Sequence, residues 1–467
     1  MKRTILSTLC LAALSCAAQS TESPTLASSY NDFAFDFFQR IESGHVDENL
    51  ILSPLSAQFA LSMLQNGAAG TTLSEIQQAL HTAGFSLDDV NAYNRTLIDR
   101  LQEEPRISDW MRKEYEAAGV NPYDNYSRVE IANGIWVRYD LPVYPEFFVT
   151  NATYYDASAE SVDFAAPETY ARLDQWAYDH THGLIPSFGL DPTKSDRAMV
   201  LANTLYFKGP WTIPFYAHQQ ADFTNANGSK SKVDLMYQTT EGKHYHTDNF
   251  VMHRLYYGTD CRFFMNLYLP KHADARLTVD EWRQLQTSDE KAHINFYMPK
   301  FTIEDNINLV DVLKGMGIND AFERKLADFH DISPMPLYVS DVYQKARIEV
   351  DEEGTAAAAL TIIDVAADTV APDDQQPPLI EIRLDRPFYF TIEDGSSILF
   401  MGHITDLAEL MRKVGEQTDI TPLPAVAPPT SRAYDLQGRP AHHTVEGDNL
   451  ATGQHTITIK DGRKSIR

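Results

Sequence analysis

The stretch from Asp351 to Pro378 constrains this chain more than any other. After Asp351-Glu352-Glu353-Gly354-Thr355 it continues Ala356-Ala357-Ala358-Ala359-Leu360-Thr361-Ile362-Ile363-Asp364-Val365. Four alanines behind a threonine cap favour a helix. Read with period two, however, Thr355, Ala357, Ala359, Thr361, Ile363 and Val365 fall on one face. All six are small or apolar, so the same residues suit a strand buried among other strands. Asp368 to Pro378 then carries Pro372, Pro377 and Pro378 among acids and amides, which is exposed-loop composition. A segment competent for helix and strand and tethered to an exposed loop is expected where one sequence serves two states.

Such a strand needs a sheet to enter, and the rest of the chain supplies the material. Hydrophobic residues make up 43% of 467, enough for a large core. The region 33–120 reads mostly helical, with Phe33, Phe37, Phe38 and Ile41 at helical spacing. Ser53-Pro54 is a helix start, with a capping oxygen followed by a proline that loses no hydrogen bond at the first position. Leu55, Phe59, Met63 and Leu64 line that helix, and Gly67 and Gly70 are expected to end it. Val129–Val137, Val200–Phe207, Phe263–Leu269, His293–Pro299 and Tyr343–Val350 are β-rich, with helical patterns at 168–182 and 306–316. Mixed elements without βαβ regularity imply an α+β fold. Nothing repeats at solenoid periods.

Lys+Arg 39 against Asp+Glu 65 leaves a net charge of −26. A protein this acidic is repelled by polyanions, so neither nucleic acid nor a heparin-like partner is expected. Lys2 and Arg3 precede an apolar run from Ile5 to Ala18, a secretory leader pattern with cleavage after Ala18; the alternatives are a lipid anchor on Cys16 and a buried N-terminal helix. Cys10 and Cys16 lie in that leader, which leaves Cys261 without an internal disulfide partner. It sits in a strand-like context and is expected to be a plain structural cysteine.

The usual catalytic signatures are missing: there is no G-x-S-x-G, H-E-x-x-H, G-x-x-x-x-G-K-[ST] or G-x-G-x-x-G. His180-Thr181-His182 and His442-His443 lack a third ligand at metal spacing, so no metal and no cofactor are expected. Asp351, Glu352 and Glu353 are adjacent and do not converge on one face, which by itself suggests a solvated charge run rather than acid/base machinery.

Together, in order, several motifs resemble those of the serpins over about residues 30 to 407. Asn49-Leu50-Ile51-Leu52-Ser53-Pro54-Leu55-Ser56 with Gly67-Ala68-Ala69-Gly70-Thr71-Thr72 looks like the family's second helix, and Ala132-Asn133-Gly134-Ile135-Trp136-Val137 like its following central strand. Trp176 with Thr181-His182-Gly183-Leu184-Ile185 matches W…T-x-G-x-I. Leu201-Ala202-Asn203-Thr204-Leu205-Tyr206-Phe207-Lys208-Gly209-Pro210-Trp211 matches N-A-x-Y-F-K-G-x-W. Pro387-Phe388-Tyr389-Phe390 with Ile398-Leu399-Phe400-Met401-Gly402 matches the closing P-F…F-x-G strands. The resemblance implies three β-sheets, about eight or nine helices and an exposed reactive-centre loop at about 353–379, in a domain spanning 19–412. It also implies a non-enzyme: a monomeric inhibitor that offers the loop to a serine protease, is cleaved, and traps the acyl-enzyme by inserting the loop into the central sheet. About fourteen residues at roughly 3.3 Å each span on the order of 45 Å, enough to carry a protease across the molecule. By the same resemblance the hinge comprises Glu352, Glu353, Gly354, Thr355, Ala356, Ala357, Ala358, Ala359 and Thr361, with Lys300 the partner of Glu352. Trp211 takes the place of a breach tryptophan, and Ser53, Ser56 and Asn203 that of a polar shutter cluster. Gln344 stands where the family often has His, which leaves the shutter hydrogen bonds open. A non-inhibitory binding protein and an inhibitor of cysteine proteases remain alternatives.

The resemblance implies a cleaved bond about fourteen residues after the hinge glycine; counted from Gly354 that is Asp368–Thr369, which would suit Asp-accepting proteases. A bond at Ala366, Ala367 or Val370 instead suits elastase-like ones. No Lys or Arg lies between Gly354 and Ile382, so trypsin-like targets are not expected. Residues 413–432 form a Pro-rich linker. The tail 433–467, with Tyr434-Asp435-Leu436-Gln437-Gly438-Arg439, resembles short C-terminal sorting modules of exported Bacteroidetes-type proteins, or is a small β-hairpin appendage. Leader and tail together imply a bacterial protein that is secreted or held at the cell envelope.

Overall fold

The computed structural model describes residues 25–109, 112–113, 121–193, 197–215, 217–287, 290–355, 377–410, 457–460 and 463–466. Eight α-helices of six residues or more occur among them, with three large sheets and an antiparallel pair of strands at 457–460 and 463–466.

Helix α1 (Leu26–Glu42) starts where the Thr25 side chain accepts from Ser28 N–H, and it buries Phe33, Phe37, Phe38 and Ile41. A short strand β1 (Leu50–Leu52) leads into α2 (Pro54–Gln65), capped as its sequence suggests by Ser53 Oγ accepting from Ser56 N–H. Most of α2 is buried, Leu55, Phe59 and Met63 included, because it runs beneath the central sheet. The glycines do not end it as expected. The helix stops at Gln65 with Asn66 as its cap, and Gly70, at φ +53°, opens α3 (Gly70–Ala79). Gly67 instead permits a close approach, since a Cβ there would lie 2.0 Å from Ile332 Cγ1. Helix α4 (Leu87–Leu101) completes this layer.

The central sheet has the order β11-β12-β13-β4-β2-β3. Strands β2 (Arg128–Arg138) and β4 (Met199–Pro210) pair antiparallel from Arg128↔Lys208 to Val137↔Met199, and β3 (Ser158–Val162) lies parallel to β2. On the other side β11 (Phe301–Asn308) and β12 (Tyr343–Val350) pair antiparallel. The two halves meet through β13, which is only Gly354–Thr355. It pairs antiparallel with both neighbours, at Val350↔Thr355 on one side and at Gly354↔Pro210 and Thr355↔Gly209 on the other. Between β2 and β3 the chain forms α5 (Pro145–Tyr155); α6 (Pro167–His180) then packs across β2, where Trp136 meets Trp176 edge-on at 5.0 Å.

The second sheet runs β1-β16-β15-β9-β8-β7, comprising β7 (Tyr245–His246), β8 (Phe250–Tyr257), β9 (Phe263–Pro270), β15 (Phe388–Glu393) and β16 (Ile398–Ile404). Strands β9, β15 and β16 are buried at every residue. The third sheet, β14-β10-β6-β5, holds β5 (Ala217–Thr224), β6 (Lys230–Lys243), β10 (Lys291–Pro299) and β14 (Leu379–Arg383), the last parallel to β10. Helices α7 (Val279–Leu285) and α8 (Val310–Gly315) complete the set. Residues 356–378 therefore connect β13 of the central sheet to β14 of the third.

Two local expectations change. Cys261 is exposed and lies in the turn between β8 and β9 at φ +51°, not in a strand. The helical pattern at 306–316 splits into the end of β11 and α8.

Candidate functional site

The acidic run 351–353 is not a free charge cluster. It is the turn that joins β12 to β13. Asp351 Oδ1 accepts from the N–H groups of Glu353 (2.9 Å) and Gly354 (3.1 Å), and Asp351 N–H donates to Gly354 O at 3.0 Å. The next segment clamps it from outside. Trp211 N–H donates to Glu353 O (2.8 Å), Trp211 Nε1–H to Asp351 O (2.9 Å) and Phe215 N–H to Glu352 O (3.1 Å). Lys300 Nζ lies 2.6 Å from Glu352 Oε1, in the pairing named above. Both groups are partly exposed, so the pair orients the turn more than it stabilises it.

Gly354 fits because it has no side chain: a Cβ would lie 2.2 Å from Gly209 O and 2.8 Å from Pro210 Cα. Thr355 is fully buried and shares a 2.6 Å hydrogen bond with the Tyr257 hydroxyl. Tyr257 in turn stacks on Trp211, with centroids 4.4 Å apart and planes at 15°. Burial pushes the Tyr257 phenol well above its usual range, so it stays a neutral hydroxyl.

Below β13 the walls β4 and β12 share no ladder among the described residues. A cavity of about 70 Å³ lies there, lined by Met199, Leu201 and Asn203 from β4, Tyr343 and Gln344 from β12, and Ser56 from α2. A second, of about 80 Å³, adjoins it toward Phe329 and Leu337. Residues 199–203 are accordingly half-buried, whereas Thr204–Phe207 nearer β13 are buried.

The polar groups at this level divide into two sets. Gln344 embraces Ser53: its Nε2 donates to Ser53 O at 2.7 Å and its Oε1 accepts from Ser53 N–H at 3.2 Å. Ser53 Oγ also donates to Leu399 O of β16 at 2.8 Å. A glutamine thus ties α2 to β12, and the hydrogen bonds left open by the sequence are present. Asn203 does not join them. Its Nδ2 donates to Asn133 Oδ1 (2.9 Å), and Asn133 Nδ2 donates to Tyr155 O at the end of α5 (2.7 Å). Ser56 contributes its backbone N–H to the Ser53 cap and lines the cavity.

Asn133 and Tyr257 were missed as site residues. Asn133 carried a signal, being a buried amide within an apolar strand; nothing local marks Tyr257. The histidines have other work. His180 Nδ1 is 2.8 Å from Trp176 O and His182 Nε2 is 2.8 Å from Glu130 Oε1. No metal-holding group of His, Cys, Asp or Glu occurs among the described residues. Ala356–Ala359, Thr361, Ala366, Ala367, Asp368, Thr369, Val370, Cys16, His442 and His443, with the leader and the linker, lie outside the described residues.

The family model for "Serpin (serine protease inhibitor)" matches residues 28–407. The chain is a member of the serpin family. Serpin-Z2B of Triticum aestivum is 31% identical over 401 residues, covering 80% of this chain and 94% of that protein. Plasminogen activator inhibitor 1 of Neovison vison is 28% identical, covering 80% and 91%. The native structure of the thermophilic serpin tengpin superimposes with a TM-score of 0.68 at 26% identity, covering 83% of this serpin and 95% of tengpin. The α+β serpin fold is therefore established, and with it membership of a family whose members are generally protease inhibitors rather than enzymes.

Proposed function

We propose that this serpin inhibits serine proteases by loop cleavage, acyl-enzyme trapping and insertion of the freed segment between β4 and β12. The observation that carries this reading is the open central sheet. Where β13 pairs with both walls, at Val350 and at Gly209, they stand two strand spacings apart, about 10 Å. That gap admits one strand. Continuing the register from Thr355↔Gly209 sets Ala357 against Phe207 and Val365 against Met199, the first residue of β4. The small or apolar face that includes Thr355 would then follow the sheet to its end, and Asp368 would emerge beyond it. The relative named plasminogen activator inhibitor 1 is consistent with an inhibitory role.

The reactive bond is Asp368–Thr369 on this reading, or one at Ala366, Ala367 or Val370, and the target is an Asp-specific or elastase-like protease. The leader pattern up to Ala18 supports a secreted or envelope location. Gln344 gives no ground for a non-inhibitory role, since it holds Ser53 at both ends of its amide. Incubation with elastase-like and Asp-specific proteases should yield a covalent adduct stable in SDS and, once the sample is denatured, a C-terminal peptide starting at Thr369. If every active protease tried simply digests the loop, the proposal fails. A different peptide start moves the bond, and the Asp-specific target goes with it.

A further inference from the structure

Tyr257 closes β8 and is fully buried. Its ring is held by Trp211 at 4.4 Å and Phe207 at 4.9 Å, so its hydroxyl direction is fixed. That hydroxyl reaches Thr355 Oγ1 at 2.6 Å. Each is the other's buried partner, so separating them strands two polar groups away from water. Of the two residues of β13, Gly354 has no side chain to grip. The residues that follow, Ala356 to Ala359, carry only methyl groups. Thr355 thus gives the start of this segment its one directional side-chain contact with the fold.

We infer that Tyr257 is a positioning residue that keeps Thr355 docked in the uncleaved protein, so that insertion begins from a strand end already paired on both sides. The inference rests on the insertion reading above. Ordering the first residues of a new strand is the step least repaid by contacts, because the chain must be confined before burial accrues. A docked Thr355 removes that step, and extension proceeds from Val350↔Thr355↔Gly209. Insertion competes with deacylation, so an undocked start lets more protease escape.

Three variants separate docking from general packing. Tyr257→Phe keeps the ring stack and removes the hydroxyl. Thr355→Val keeps the shape and removes the other partner. Thr355→Ser keeps the hydrogen bond. In the uncleaved protein, amide hydrogen exchange around residues 352–358 should be about fivefold to tenfold faster in Tyr257→Phe and Thr355→Val, the factor expected for one hydrogen bond. Thr355→Ser should match the parent. With a protease that the parent traps, the association rate should stay within about twofold, while the moles of inhibitor consumed per protease trapped rise severalfold in the first two variants. Unchanged exchange in Tyr257→Phe overturns the docking role. Faster exchange with an unchanged consumption ratio overturns the positioning role. A parent that traps no protease overturns the inhibitor reading instead, and exchange alone then decides whether Tyr257 docks Thr355.

Discussion

Both ends of the Gln344 amide are spent on one residue, Ser53, at the point where α2 begins. Gln344→Leu keeps the volume but leaves Ser53 N–H and C=O buried without that partner. The intact protein should lose about 1 to 3 kcal/mol, read as a lower urea midpoint. His253 sets a different dependence. It is fully buried against Phe296, with centroids 4.2 Å apart, and burial draws its pKa down to about 3. The unfolded chain takes up a proton near the ordinary value of about 6.5 and the folded protein does not. Stability from this group is therefore complete above that pH and is lost as pH falls toward 3, at up to about 1.4 kcal/mol per pH unit. His403 is buried and acts in the same sense, its pKa also near 3. Glu42 opposes them: burial raises its carboxyl, so its contribution declines as pH rises. Replacing His253 by Gln should flatten the fall in urea stability between pH 6 and pH 4. An unchanged slope would show that His253 is accessible to protons in the folded state.

At the level of elements, the proposed insertion starts where β12 turns into β13. Gly354→Ala would drive a Cβ into Gly209 O, and Thr355→Arg would bury a charge beside Tyr257 at a cost of several kcal/mol. Either change should leave cleavage of the loop nearly as fast as in the parent while adduct yield collapses; full trapping by both variants would falsify insertion. Ala357→Pro should act alike by removing a ladder donor. The Ser53-Pro54 helix start was legible because capping spans three residues. The clamp was not. Trp211 was identified by its motif, but its grip on two carbonyls of the turn depends on a backbone path no periodicity encodes. Asn203 was grouped with Ser53 and Ser56, yet its contact is Asn133 on the adjacent strand, a cross-strand pairing that needs the register. Gly70 was read as a stop when it starts a helix, because positive φ serves either purpose. Tyr257 looked like ordinary core, as its ring is; only its hydroxyl is particular.

For the whole molecule, β4 and β12 share no ladder below β13 among the described residues, so on the proposed insertion the uncleaved fold leaves a strand's worth of burial and ladder bonds unmade. Nicking the loop should raise the thermal midpoint on the order of tens of degrees as those contacts form. A midpoint unmoved by nicking would rule out insertion, whatever the protease. The other side of the cut has its own fate. Residues beyond the loop enter β14, alongside β10, and then β15, which lies between β16 and β9 and is buried along its whole length. A severed chain therefore stays one particle: the downstream piece is woven into two sheets and has no route out short of unfolding. Gel filtration should show a single peak before and after cleavage, and only denaturant should divide it. Any search for a released fragment in native buffer would come up empty even when every molecule had been cut.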